Sequence, residues 1–181
     1  MRIAPALLLA AVLALPFGRA AQAQEGGVLT GTEGQHAAFF VQQAGRSDMF
    51  EIEAARIALR RTQSPEIRAF AEMMVADHTR SQEQIAKAVK DHDLSTPLPK
   101  RIDLKHQQVL DQLQRATDAD FDRLYLNGQV TAHQEALKVY QHYAPTAEEP
   151  SLRAIAEAGL PMIQRHLDRA RALQKGLQAA R

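Results

Sequence analysis

The sequence predicts an all-α chain of four long helices, arranged as two antiparallel hairpins joined by a longer crossover with a short extra helix. Three observations carry this. Apolar residues recur at helical spacing through four long segments, and no segment alternates with a strand period. Turn signals fall between the segments in a short, long, short order. Aromatics make up only 5% of the residues, which disfavours a barrel or sandwich of aromatic-rich strands. One long crossover between two hairpins is the ferritin-like connectivity, so the expected fold is a ferritin-like four-helix bundle. At 181 residues there is room for one such domain.

The first 23 residues read as a signal peptide. Arg2 gives a short positive start, Ala6 to Leu15 is unbroken apolar sequence, and Ala21-Gln22-Ala23 fits a small-x-small cleavage site. The apolar run is well short of the ~20 residues that span a bilayer, so export to the periplasm with cleavage after Ala23 is expected, with no integral membrane span left. Arg2 and Arg19 belong to this leader. Without them basic residues fall from 22 to 20 against 21 acidic ones, and the mature chain carries about −1. A balance that close to neutral gives no electrostatic basis for binding nucleic acid.

Residues 24–34 are rich in glycine, threonine and glutamate and read as a flexible lead-in. Thr32 and Gln35 fit a capping box, so the bundle domain is assigned to 35–178. The first helix carries Phe40, Ala44, Ala54 and Ala58 on one face and runs to Thr62. Ser64-Pro65 stops it and starts the second, with serine as N-cap and proline in the first turn. The second helix runs to His92 with Ile67, Phe70, Ala71, Met74, Ile85 and Val89 inward. Pro97 and Pro99 interrupt the crossover, which holds a weaker helical stretch over 104–113. Thr117 caps the third long helix, which is apolar on two sides, and Pro150 opens the fourth, which contains Pro161.

Polar residues that fall on the inner stripes carry the functional argument. His78 lies in line with Phe70/Ala71, Met74 and Ile85, and His133 lies in line with Leu126, Val130 and Leu137. His166 flanks Ile163, Leu167 and Ala170, and Glu51 shares a stripe with Phe40, Ala44, Ala54 and Ala58. A buried carboxylate needs a partner. At 1.5 Å per residue, counting from the turn places Glu51 and His78 within roughly 3 Å of one level. A cluster of Glu51, His78, His133 and Met162 or His166 is therefore compatible with the bundle.

A di-iron carboxylate site would need glutamate three residues before histidine on two helices. Those positions hold Val75, Val130 and Ile163, so the spacing disfavours a di-iron centre. Met74/His78 and Met162/His166 are instead i,i+4 pairs, with Met73 adjacent. Thioether with imidazole suits copper ahead of iron or zinc. Asp122 is a further polar residue that can face inward, while Asp77 reads as a helix cap or an arginine partner. The chain has no cysteine, which removes disulfides and thiol chemistry. No nucleophile triad, phosphate loop or nucleotide fingerprint is visible, so an enzyme is not expected.

In these segments the chain resembles the domain-of-unknown-function 4142 family of exported bacterial proteins. The carrying motifs are Met49-Phe50-Glu51-Ile52-Glu53, the run from Phe70 to Thr79 that contains His78, the stretch from Phe121-Asp122 through Val130 to His133, and Leu160-Pro161-Met162-Ile163 through His166. The resemblance covers Phe39 to Leu173 and departs at Thr117-Asp118-Ala119, where the family often has a small-residue–glycine turn. It implies a ferritin-like bundle and directs attention to Glu51, His78, Asp122, His133 and His166, but supplies no reaction or ligand. Two readings stay open. One is a non-enzymatic periplasmic bundle with an envelope-stress or interaction role, including a protein partner or self-association. The other is a metal-binding protein that uses the His/Met/Glu cluster, with a copper ion as its cofactor.

Overall fold

The computed structural model describes residues 32–179, with side chains from His36 onward. The leader, the cleavage point after Ala23, residues 24–31 and the side chains of the Thr32/Gln35 capping box lie outside the described residues. Five helices follow in order: α1 (Thr32–Arg61), α2 (Pro65–Asp91), α3 (Leu104–Arg115), α4 (Asp118–Tyr143) and α5 (Pro150–Ala179). Among the described residues there is no strand, and no helix is long and apolar enough to cross a membrane.

The helix boundaries follow local chemistry. The Ser64 hydroxyl accepts a hydrogen bond from the Ile67 backbone N–H at 3.3 Å, and Pro65 fills the first helical position, where a missing N–H is harmless. Thr117 caps α4 in the same way through the Asp120 N–H. Asp103, which the sequence reading passed over, caps α3 through the His106 N–H. α1 begins at Thr32, so the last residues assigned to the lead-in are already helical. α5 runs unbroken past Pro161, whose side of the helix faces solvent.

α1 and α2 form one hairpin and α4 and α5 the other. α1 runs antiparallel to α4, because Phe40 near its start meets Tyr140 and Tyr143 at the end of α4, while Arg61 at its end reaches Asp118. The crossover therefore travels the length of the bundle, and α3 lies over α1 and α4. Arg61 anchors it: its guanidinium donates to the carbonyls of Leu113, Gln114 and Ala116 and sits 5.0 Å from the centre of the Phe121 ring. These carbonyls have no partner inside α3, so one side chain satisfies the end of a helix and ties it to two others.

Gly159 allows α5 to approach α4, since a Cβ there would lie 2.5 Å from the Tyr140 ring. Gly45 does the same for the crossover, where a Cβ would meet the Pro99 ring at 2.7 Å. At both positions the space that a Cβ would take is filled by a side chain of a neighbouring segment.

The core is in two parts. One gathers Phe50, Ile67, Phe70, Met74, Phe121 and Tyr125 with their neighbours. The other gathers Phe40, Val41, Ile85, Tyr140, Tyr143 and Leu152 with theirs. Between them lies a layer of buried polar side chains, which forms the candidate site.

Candidate metal centre

All four helices of the bundle contribute to this layer. α1 brings Asp48 and Glu51, α2 brings His78, α4 brings Gln129 and His133, and α5 brings His166. The three imidazole rings are only 1–3% exposed and their centres lie 5.4–5.7 Å apart in every pairing. One ring nitrogen from each lies within 4.8 Å of the other two.

Each ring is held from behind by an acceptor. His78 Nδ1–H donates to Asp48 Oδ1 at 2.8 Å, His133 Nδ1–H donates to the Gln129 backbone carbonyl at 2.8 Å, and His166 Nε2–H donates to Asp77 Oδ2 at 3.0 Å. A backbone carbonyl can only accept, which puts the His133 proton on Nδ1 and the lone pair on Nε2. The same logic with carboxylate acceptors leaves lone pairs on His78 Nε2 and His166 Nδ1. Those three nitrogens, His78 Nε2, His133 Nε2 and His166 Nδ1, have no hydrogen-bond partner. A neutral imidazole whose one N–H is fixed by a carboxylate or carbonyl, with the other nitrogen's lone pair free, is the usual form of a histidine that ligates metal.

Electrostatics separates the three rings. Burial works against a charged His78, but the hydrogen bond and charge of Asp48, with Glu51 and Asp77, outweigh it and raise its proton affinity. Burial and the neighbouring His78 push His133 down to about 3. Burial and His78 also lower His166, against the pull of Asp77. His78 therefore holds a proton more readily than an ordinary imidazole, and His133 and His166 less readily.

Glu51 lies to one side of the three nitrogens. Its Oε2 accepts from Gln129 Nε2 at 2.6 Å, and its Oε1 is 3.4 Å from His133 Nδ1, the nitrogen already committed to the Gln129 carbonyl. The buried carboxylate has found the partner its burial requires, and that partner is an amide rather than His78. Desolvation raises Glu51 to about 7, partly offset by His78 and Gln129. Asp48, not Glu51, stands opposite His78. In an antiparallel hairpin the facing residue lies as far before the turn as His78 lies after it, and that position is Asp48.

The remaining expected residues are placed as follows. Met74 packs in the core cluster of Phe70 and Tyr125, and Met73 lies against that cluster. Met162 lies against the other cluster and lines a cleft between α2 and α5. Asp122 is half-buried, with Oδ1 turned inward and unpartnered, but it is eleven residues from His133, roughly 16 Å along α4. Asp77 pairs with an arginine, Arg80, and also holds His166. Sequence reasoning missed Asp48 and did not assign Gln129 its role.

The sign of the Glu51 shift gives a test on the ion-free protein. Its pKa is raised on folding from 4.5 to about 7, so its contribution to stability is present below 4.5 and lost as pH rises through about 7. His133 acts oppositely: its contribution is present above 6.5 and lost as pH falls toward 3. Glu51→Gln keeps an acceptor for Gln129 and is expected to relieve about 3 kcal/mol of instability at pH 8 relative to pH 4.5. Urea unfolding of both proteins at the two pH values measures this, and parallel pH profiles would contradict it.

Fold and site together define a four-helix bundle with a buried three-imidazole cluster. The chain belongs to the family described as domain of unknown function DUF4142, which matches residues 20–173. Two solved structures share the fold. A structure described as CopM in the Cu(II)-bound form is 17% identical, with a TM-score of 0.68, over 78% of this chain and 97% of that one. A DUF305 fragment from Deinococcus radiodurans is 15% identical, also with a TM-score of 0.68, over 77% of this chain and 95% of that one. No protein of curated function matches the sequence.

Proposed function

We propose that the chain is an exported metal-binding protein that holds one transition-metal ion, copper before zinc or iron, between His78, His133 and His166. The observation that carries this is three buried rings that each bring a nitrogen within 4.8 Å of the other two, each ring having one unpartnered nitrogen and the other fixed from behind by an acceptor. Metal–imidazole bonds near 2.0–2.1 Å place three trigonal ligand nitrogens about 3.5 Å apart. Closing from 4.8 Å to that spacing needs each ring to shift by less than about 1 Å, within side-chain reach.

The ligand chemistry favours copper. Imidazole suits copper and zinc, and among divalent first-row ions an imidazole site binds Cu(II) most tightly. A protein of the same fold has been seen with Cu(II) bound, which is compatible with a copper site in this bundle. The two methionines are read as core and cleft residues rather than as ligands. Asp48 and Asp77 are positioning residues: each fixes the tautomer and orientation of one imidazole.

Binding rather than catalysis fits the burial, since the rings are 1–3% exposed and leave no open face for a substrate. The test is metal analysis of tag-free protein after exposure to Cu(II) and desalting. One equivalent per chain is expected for the native protein and none for a His78→Ala/His133→Ala/His166→Ala variant. Full stoichiometry in that variant, or no copper in the native protein, would overturn the reading. The histidines would then be structural parts of an interaction module.

A further inference from the structure

An ion bound at His78, His133 and His166 has to cross the wall of the bundle, because the three rings are sealed. Three groups hold the rings from behind. Asp48 and Gln129 are buried, whereas the Asp77 side chain is 21% exposed. Among the described residues that hydrogen-bond a cluster ring, Asp77 is the one that reaches solvent. There, water comes within one side chain of His166.

Asp77 opens onto a cleft of about 220 Å³ between α2 and α5. Its lining includes Ser81, Gln84 and Met162, with Arg80 and Arg165 also on its wall. Arg80 is paired with Asp77 Oδ1, which leaves Oδ2 on His166. Oxygen and thioether groups can take the place of hydration water one at a time as a copper ion moves inward. The alternative face, under α3, has a cleft of about 180 Å³ lined by Phe50, Val109, Leu113 and Leu124. That cleft also carries His106, Gln112, Asn127, Thr131 and Glu135, but no group that bonds a cluster ring lines it, so it does not lead to an imidazole as the Asp77 side does.

We propose that the α2/α5 cleft is the loading port of the site: copper meets Asp77 first, and His166 is the ligand that swings to admit it. This rests on the metal-binding reading of the cluster. Met162, four residues before His166 on α5, stands in the port as a soft group on the way to the imidazoles. That position gives the methionine a part in transfer without requiring it in the bound site.

Narrowing the port tests the proposal. Ala158 is exposed, lines the cleft and is not one of the three histidines or the groups that hold them, so Ala158→Trp obstructs the route and keeps every residue of the site. A change that only obstructs a route alters the barrier and not its two ends. Stopped-flow absorbance with Cu(II) is therefore expected to show association and dissociation both slowed about tenfold, with Kd unchanged. Glu157→Trp, an exposed neighbour outside the lining, and Thr131→Trp, in the α3-side cleft, are expected to load at the native rate. Native rates in Ala158→Trp, or slowing by Thr131→Trp instead, would overturn the port while leaving the copper site standing. Failure of the native chain to take up copper at all would overturn both.

Discussion

Saturating Cu(II) is expected to raise the midpoint of thermal unfolding by about 10 °C. Without an ion, three buried ring nitrogens lack partners, and each such group costs about 1–3 kcal/mol. An ion that binds only the folded chain stabilises it by about 4 kcal/mol at a thousandfold excess over Kd. For a domain of this size each kcal/mol moves the midpoint by about 2–4 °C. A chelator should reverse the shift, and the triple-alanine variant should not respond to copper. An equal shift in that variant would place the ion elsewhere.

Phe40→Ala is expected to destabilise the chain by about 3–5 kcal/mol, a fall of roughly 10 °C in the midpoint. Phe40 is fully buried, stacks on Tyr143 at 4.2 Å with planes 6° apart, and meets Tyr140 edge-on at 5.0 Å. It joins the start of α1 to the end of α4, and truncation leaves a cavity that two rigid rings cannot close. Because it belongs to the cluster beyond the polar layer, one copper per chain should still bind below the new midpoint. Loss of copper together with stability would mean that the two halves of the core are coupled through the site.

Helical periodicity made much of this molecule legible. The stripes put Glu51, His78, His133 and His166 inside, where they are found, and Ser64-Pro65, Thr117 and Pro150 mark helix starts at the expected places. Stripes specify a face but neither a level nor a side-chain direction. Glu51 and Asp48 are one turn apart on the same face of α1, and only the mirror relation across the turn selects Asp48 for His78. Met74 and Met162 have the right i,i+4 spacing to their histidines, yet they pack toward the two cores. Asp77 sits at the edge of its helix face, so a role as an arginine partner was visible and its bond to His166 was not. Which nitrogen each ring leaves free depends on acceptors from other helices, and no spacing within one helix encodes that.

Three imidazoles are expected to share one ion. X-ray absorption at the copper edge, on tag-free protein loaded with one equivalent, measures this most directly. The expected result is a shell of three imidazole nitrogens at about 2.0 Å, lost in the triple-alanine variant. A sulfur shell at about 2.3 Å would bring Met74 or Met162 into the site, and a shell of oxygens alone would contradict the three-imidazole centre.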